Sequence, residues 1–174
     1  FERGYRLDSL VIDEPIKNGP KNSGGSYVGE MKLQRAIELS KNTIAWKLFE
    51  ELTPKLGLSY LLKMDFQKIV DDDYYLAASL GGLTIGTSPL EMTAAYGALV
   101  NDGYYREPTC IVKITDAAGK ILVDDTIDEE QVYQTGASRM VTEALTGVIK
   151  NGTAKGFELS NTISAGKTGT TDNR

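Results

Sequence analysis

The spacing of apolar residues changes along the chain, and this change constrains the fold more than any other sequence feature. Over roughly the first 100 residues, apolar side chains recur every three to four positions, as on one face of an α-helix. From Thr109 onward, short stretches alternate with a period of two, which is typical of β-strands. Helices followed by strands, without strict alternation of the two, predict an α+β fold.

The helical pattern is interrupted near its beginning. Leu33, Ala36 and Ile37 share one helical face, and the pattern resumes at Ile44. The interruption at residues 40–43 reads Ser-Lys-Asn-Thr, and Ser, Asn and Thr favour helix caps over helix interiors. We interpret it as a turn between two short helices. A plain N-cap for the second helix is the alternative, and spacing alone favours that simpler interpretation.

Several further segments carry a secondary-structure pattern, whereas residues 1–30 are rich in turn residues and are predicted to be irregular. Ser88, followed by Pro89 and Glu91, is typical of a helix start with a serine cap. Residues 109–115 and 121–125 flank a Gly-containing loop and predict a β-hairpin. Helices are also predicted over residues 58–64, 74–80 and 138–149, and a strand over residues 162–170.

The composition excludes several kinds of active site. The 174 residues contain no histidine and one cysteine, Cys110, which excludes Ser-His-Asp triads, Cys-His dyads, H-E-x-x-H zinc sites and cysteine-built metal sites. The acidic runs at residues 71–73 and 124–130 are interpreted as a solvated turn and solvated surface, since calcium-loop spacing is absent. We therefore expect neither metal nor cofactor. The net charge of −5 argues against a nucleic-acid partner.

Two short motifs contain residues that can perform acyl transfer without histidine. Residues 40–42 (Ser-Lys-Asn) have the form S-x-N, and residues 167–169 (Lys-Thr-Gly) have the form K-T-G on the predicted strand. Related motifs assist a serine nucleophile carried by an S-x-x-K motif in penicillin-binding proteins and β-lactamases. The glycine-rich segment 81–86 is rejected as a nucleotide-binding loop, because Thr87 stands where such a loop needs lysine.

Beyond these two motifs, an ordered series of segments resembles the transpeptidase domain of class A (bifunctional) penicillin-binding proteins. The resemblance covers nearly the whole chain and is more specific than either motif alone. It implies a penicillin-binding-protein and serine β-lactamase-like fold, here mostly the helical subdomain plus a hairpin and one active-site strand. The segments are Leu33-Gln34-Arg35-Ala36, Ser40-Lys41-Asn42, Ala78-Ser79-Leu80-Gly81-Gly82, Ser88-Pro89-Leu90-Glu91-Met92, Ala95-Tyr96-Gly97, Asn101-Asp102-Gly103, Gly152-Thr153-Ala154 and Ala165-Gly166-Lys167-Thr168-Gly169-Thr170-Thr171.

The resemblance implies catalytic and substrate-binding roles for the residues of the two motifs. Ser40 would relay a proton towards the leaving amine, and Asn42 would form a hydrogen bond with the substrate amide. Lys167 would add positive potential and, with the hydroxyls of Thr168 and Thr170, hold the substrate carboxylate. The N–H of Thr170 would form half of the oxyanion hole, where one donor is worth about 2.7–4 kcal/mol.

The same resemblance implies the substrate and the location. Gly169 would let a substrate backbone lie along the active-site strand. The implied partners are D-Ala-D-Ala stem peptides of peptidoglycan, cross-linked through a serine acyl-enzyme, and the β-lactam antibiotics that mimic them. The implied location is the extracytoplasmic face of the bacterial cell membrane, with an anchoring N-terminal helix outside this chain.

The S-x-x-K motif that carries the nucleophile in this family has no convincing match. Only Ser164 is followed by lysine three positions later, and residues i and i+3 of a strand point to opposite faces. We expect the nucleophile upstream of Phe1, and further strands and a helix after Arg174. Residues 1–174 would then form a partial domain that is not acylated alone and that pairs with a complementary segment of the same protein. The alternative is a nucleophile-less binding or sensor domain.

Overall fold

The computed structural model describes residues 1–124 and 128–170 and combines helices with short strands, which confirms the α+β prediction. Short 3₁₀ helices cover Ser23–Gly25, Asp71–Asp73 and Leu76–Leu80. The strands are β1 (Leu10–Asp13), β2 (Gly29–Lys32), β3 (Tyr104–Arg106), β4 (Lys113–Thr115), β5 (Ile121–Asp124) and β6 (Glu129–Gln131). The α-helices are α1 (Leu33–Glu38), α2 (Asn42–Leu52), α3 (Pro54–Lys63), α4 (Pro89–Val100) and α5 (Thr135–Asn151).

Within the described ranges the strands form three separate antiparallel pairs, β1 with β2, β3 with β6 and β4 with β5. The β4–β5 pair confirms the predicted hairpin, with shorter strands. The β1–β2 pair contradicts the prediction that residues 1–30 are irregular. Its only apolar run, residues 10–12, is too short to indicate a strand, and both Leu10 and Ile12 are exposed.

The helix boundaries follow local sequence signals where those signals are strong. At the start of α4, Ser88 Oγ accepts from the N–H of Glu91 at 3.2 Å, and Glu91 Oε2 accepts from the N–H of Ser88 at 2.6 Å. This reciprocal pair is the predicted capping box, with Pro89 at the first helical position. Helix α3 begins at Pro54, four residues before the predicted start, because Thr53 caps it and Pro54 pre-sets the first turn.

Two predicted segments differ from the structure, whereas the acidic stretch 124–130 is exposed, as predicted, where it is described. Residues 74–80 contain a 3₁₀ helix in place of the predicted helical stretch. Residues 162–170 do not form the predicted strand, since nothing in the described part of the chain pairs with them in a hydrogen-bond ladder. In the acidic stretch 124–130, residues 129 and 130 lie in exposed strand β6, whereas residues 125–127 lie outside the described residues.

The acidic run at residues 71–73 is not simply a solvated turn. Asp73 is buried, and its two carboxylate oxygens accept hydrogen bonds from the N–H groups of Thr84 at 2.6 Å and Val70 at 2.9 Å. These backbone hydrogen bonds lower the pKa of Asp73. The carboxylate therefore ties the glycine-rich segment after residue 80 to the rest of the helical region.

The apolar core consists of three clusters that join helices distant in sequence. One cluster lies between α3, α4 and the β3–β6 pair, a second lies beneath α1 and α2, and the third lies along α5. Helix α5 packs against both α1 and α4. Val148 of α5 is fully buried. In the described residues no helix has the length and apolar character needed to cross a membrane.

Candidate active site

Ser40 ends helix α1 in a left-handed backbone conformation, with φ at +53°. Its N–H donates to the Ile37 carbonyl at 3.1 Å, and the N–H of Lys41 donates to the Ala36 carbonyl at 3.0 Å. These two bonds form a Schellman helix end, where glycine is the usual residue because a Cβ costs about 1–2 kcal/mol in this conformation. A serine held there turns the chain sharply and leaves its hydroxyl on the cleft side.

Asn42 is the first residue of α2, which confirms the predicted turn between two helices. The plain local cap is not formed, since the N-cap residue Lys41 makes no side-chain capping bond. Instead, Asn22 caps the helix from another loop, where its Oδ1 accepts from the N–H of Thr43 at 3.3 Å. The side chain of Asn42 donates from Nδ2 to the Lys21 carbonyl at 2.9 Å.

The K-T-G segment is held against α5 although it is not a strand. The N–H of Gly166 donates to the Leu145 carbonyl of α5 at 3.2 Å. Beyond α5, the hydroxyls of Thr153 and Thr168 lie 2.7 Å apart. These contacts bring the segment to the side of α5 that faces α1, because the N–H of Thr153 also donates to the Glu38 carbonyl at 3.0 Å.

Lys167 joins the two sequence motifs. Its Nζ donates to Ser40 Oγ at 2.6 Å and to the Thr168 carbonyl at 3.0 Å. Although the residue as a whole is exposed, the loss of water around its ammonium group lowers the pKa of Lys167 below the ordinary value of 10.5. The cation therefore loses its proton at a lower pH than a lysine fully surrounded by water.

The predicted site residues line one open cleft of about 1240 Å³. Its other walls include residues of α1, α2 and α4, and the glycine-rich segment at Ser79 to Gly81. The predicted residues on its surface are Ser40, Asn42, Lys167, Thr168, Gly169 and Thr170. This arrangement combines a cation, hydroxyl groups and a side-chain amide, which can together bind a carboxylate and a peptide bond.

Ser164 begins the only stretch of the sequence that fits S-x-x-K, but its hydroxyl is not hydrogen-bonded to Lys167 in this structure. Its Oγ accepts from the N–H of Leu159 at 3.2 Å, while Lys167 bonds Ser40. The geometry therefore agrees with the inference that Ser164 is not an activated nucleophile.

Sequence reasoning missed two parts of the site. In the sequence Thr153 stands out only as part of the Gly-Thr-Ala segment of the family resemblance, which does not indicate its contact with Thr168. The second part is a buried polar group behind the S-x-N turn, where Lys41 forms an ion pair with Asp13 at 2.9 Å. No sequence signal connects these two residues, because their pairing depends on how β1 packs against the start of α2.

Comparisons with curated proteins find relatives along most of the chain. Penicillin-binding protein 1F of Bacillus subtilis is 35% identical over 173 residues, which cover 98% of this chain and 24% of that protein. Penicillin-binding protein 4 of the same species is 34% identical over 153 residues, covering 88% of this chain and 24% of that protein. The chain thus spans about a quarter of the length of these relatives.

Solved structures show the same fold. The D,D-transpeptidase domain of a peptidoglycan glycosyltransferase from Eggerthella lenta superposes with a TM-score of 0.78 at 23% identity, covering 99% of this chain and 50% of that chain. Penicillin-binding protein 1A from Haemophilus influenzae superposes with a TM-score of 0.73 at 24% identity, covering 90% of this chain and 29% of that chain. A family model, the penicillin binding protein transpeptidase domain, matches residues 2–173. The chain belongs to the penicillin-binding protein transpeptidase family, which confirms the resemblance to its class A members.

Proposed function

We propose that this chain supplies Ser40, Asn42, Lys167, Thr168 and Thr170 to the active site of a serine D,D-transpeptidase that cross-links peptidoglycan stem peptides. The observation that carries the proposal is the hydrogen bond of 2.6 Å between Lys167 Nζ and Ser40 Oγ. It joins the S-x-N and K-T-G motifs at one cleft, although 127 residues separate them in the sequence. Membership of the transpeptidase family supports the reaction class.

The chemistry follows from the donors and acceptors in the cleft. A serine hydroxyl attacks the carbonyl carbon of a D-Ala-D-Ala amide or a β-lactam, and the carbon–nitrogen bond breaks while the nitrogen takes up a proton. The lysine of the nucleophile's S-x-x-K motif takes the hydroxyl proton of the attacking serine and passes a proton to Ser40 Oγ, while the Ser40 hydroxyl donates its own proton to that nitrogen. Lys167, already bonded to Ser40 Oγ, stabilises the oxygen during this relay. The N–H of Thr170 contributes to the oxyanion hole, and Gly169 allows the substrate backbone to approach.

Substrate binding uses the remaining groups. The hydroxyls of Thr168 and Thr170 and the ammonium of Lys167 bind the substrate carboxylate, for which a cation is the natural partner. Asn42 already donates to the Lys21 carbonyl, and its Oδ1 is the atom that accepts from the substrate amide N–H. The resulting substrate class is a peptide with a free C-terminal carboxylate, such as the D-Ala-D-Ala stem.

The nucleophilic serine and its lysine lie outside residues 1–174 in this proposal. Within the sequence only Ser164 is followed by lysine at the third position, and that lysine is Lys167 of the K-T-G motif. Residues 1–174 are thus a partial transpeptidase domain that is inactive alone and completed by another segment of the same protein. We place the whole protein at the extracytoplasmic face of the cell membrane.

Labelling with fluorescent penicillin tests the proposal. The protein that carries this chain, with the residues flanking it in its reading frame, is incubated with the probe, and the modified serine is located by peptide mass. We expect one penicilloyl group on a serine of an S-x-x-K motif outside residues 1–174, and none on residues 1–174 alone. Ser40→Ala and Lys167→Ala in the whole protein should slow labelling, whereas the exposed Lys155→Ala should not.

Three outcomes would contradict the proposal in different ways. No labelling of the whole protein would favour a nucleophile-less binding or sensor domain on the same fold. A penicilloyl group on Ser40 or Ser164 would overturn the roles assigned here. Equal labelling rates in Lys155→Ala and Lys167→Ala would show that Lys167 has no role in acylation.

A further inference from the structure

A buried polar cluster lies directly behind the S-x-N turn. Its members are Asp13, Asn22, Lys41 and Thr43, which are 1%, 5%, 8% and 0% exposed, and we call it the Asp13 cluster. The ion pair inside it is well shielded, because the side chains of Lys41 and Asp13 are 7% and 0% exposed. In proteins generally, well-packed apolar residues often replace a buried ion pair without loss of stability, so the pair here points to a requirement for fixed geometry.

Asp13 accepts every hydrogen bond that its carboxylate geometry readily allows. Its Oδ1 accepts from Asn22 Nδ2 at 2.6 Å and from Thr43 Oγ1 at 2.6 Å. Its Oδ2 accepts from the N–H of Val28 at 3.0 Å and lies 2.9 Å from Lys41 Nζ. Four donors from the loop after β1, from the S-x-N turn and from α2 therefore converge on one side chain at the end of β1.

The side chains of the three residues of the S-x-N turn bind different partners. Ser40 accepts from Lys167 at the cleft, whereas Lys41 extends the other way to Asp13. Because Lys41 stands between Ser40 and Asn42 in sequence, its ion pair fixes the backbone from which both of these side chains project. The left-handed conformation of Ser40 needs such support, since it is unfavourable for serine.

The cluster also orients the amide of Asn42. Asn42 Nδ2 donates to the carbonyl of Lys21, the residue just before Asn22. The carbonyl can only accept, so the amide must present Nδ2 to it and leave Oδ1 as the free acceptor. Asn22 is held by Asp13 and by its bond to the Ser26 carbonyl at 3.1 Å, which keeps the Lys21 carbonyl in place.

We propose that Asp13 is a positioning residue for transpeptidation, which acts through Lys41 and Asn22 to fix the orientations of Ser40 and Asn42. The inference rests on the proposed function. It assigns to Asp13 an effect on the rate of acylation in addition to its effect on folding, because a displacement of about 1 Å in a catalytic group can cost about 100-fold in rate.

The test measures acylation of the whole protein by fluorescent penicillin, with the maximal rate and the half-saturating concentration determined separately. Asp13→Asn should lower the maximal rate about 10- to 100-fold, because the amide cannot pair with Lys41 and cannot accept from all four donors. The matched control is Glu14→Gln, the adjacent carboxylate, whose partner is Lys47 at 2.7 Å on the surface. This control should leave the maximal rate unchanged.

A double variant separates positioning from folding. Asp13→Asn combined with Lys41→Met removes both buried charges, so the urea midpoint of unfolding should return towards that of the parent protein. The maximal acylation rate should stay low, because the bonds that fix the turn are not restored. Recovery of rate and midpoint together would overturn the proposal, as would an Asp13→Asn rate equal to that of Glu14→Gln.

The parent protein distinguishes this inference from the function on which it rests. Labelling of the parent on an S-x-x-K serine, with no slowing in Asp13→Asn, overturns the positioning role alone. Absence of labelling in the parent overturns the proposed function and this inference with it.

Discussion

Lys167 Nζ donates to Ser40 Oγ at 2.6 Å, and this hydrogen bond crosses the cleft between two segments that share no sheet or helix. Lys167 reaches the cleft because its segment is tied to α5 through the N–H of Gly166. Helix α5 in turn packs against α1, and Ser40 lies just after the C-terminal end of α1. The distance is thus set by helix packing rather than by either motif.

A double-mutant cycle should detect this contact as coupling. Ser40→Ala and Lys167→Ala in the whole protein should each slow acylation by about 100-fold or more, as loss of a proton-transfer or charge-stabilising group does. The double variant should lose less than the product of the two effects, because each single change already removes the shared hydrogen bond. Acylation rates with fluorescent penicillin provide the measurement.

The control for this cycle uses a hydroxyl residue and a lysine outside the cleft. Thr162→Val and Lys155→Ala are exposed, and their combined effect should equal the product of two near-neutral changes. Multiplicative effects for Ser40 and Lys167 as well would show that the two side chains act independently.

The lowered pKa of Lys167 predicts a shift in the pH dependence of acylation. Burial of the ammonium lowers this pKa, so the positive charge is present at low pH and is lost at a lower pH than for an ordinary lysine. Binding of the penicillin carboxylate should therefore weaken on the alkaline side before pH 10.5 is reached. In Lys167→Arg the charge persists, and the corresponding limb of the pH profile should disappear. An alkaline limb that persists in Lys167→Arg would show that a group other than Lys167 titrates there.

Asp13 should make the free energy of unfolding depend on pH in the acidic range. Burial alone would raise the pKa of Asp13, but hydrogen bonds from Thr43, Lys41, Asn22 and Val28 outweigh burial and lower the pKa to about 2. The carboxylate therefore stabilises the fold above the ordinary pKa of 3.8, and this contribution is lost as pH falls from 3.8 towards 2.

Urea unfolding of the parent and of Asp13→Asn, measured from about pH 2 to about pH 7, checks this expectation. This range includes both the ordinary and the lowered pKa of Asp13. Near neutral pH the variant should lose about 3–5 kcal/mol, the usual effect of breaking a buried ion pair. The difference between the two proteins should shrink as pH approaches 2. Glu14→Gln should change the free energy of unfolding by about 0–1 kcal/mol, and a constant difference for Asp13→Asn would contradict the assignment.

Gly152 allows a close approach between the end of α5 and α1. A Cβ at this position would collide with the backbone carbonyl of Glu38 and with Val148 Cα. We expect Gly152→Ala to lower the free energy of unfolding by about 1–3 kcal/mol, since two backbones must separate. Gly136→Ala, in the first turn of α5, has nothing within 4 Å of the added carbon and should be neutral or slightly stabilising. Thermal unfolding of both variants tests the contrast, and equal midpoints would contradict the close packing.

Local patterns predicted the elements that local physics controls. The capping box at Ser88 and Glu91 and the turn before Asn42 depend on residues within a few positions, so their sequence signals are strong. The β1–β2 and β3–β6 pairs were missed because each strand is only three or four residues long. The strand expected over residues 162–170 is not formed, because strand pairing depends on a neighbour and not on the segment alone.

The sequence by itself determined the α+β class and the family and predicted the residues of the candidate site, since residue types and their order along the chain carry that information. Only the tertiary structure decided which of these residues meet. The contact of Lys167 with Ser40, the ion pair of Asp13 with Lys41 and the contact of Thr153 with Thr168 all join separate segments. Such distances depend on how α1, α2 and α5 pack, and packing is settled by the combined burial of side chains from the whole chain rather than by any local pattern.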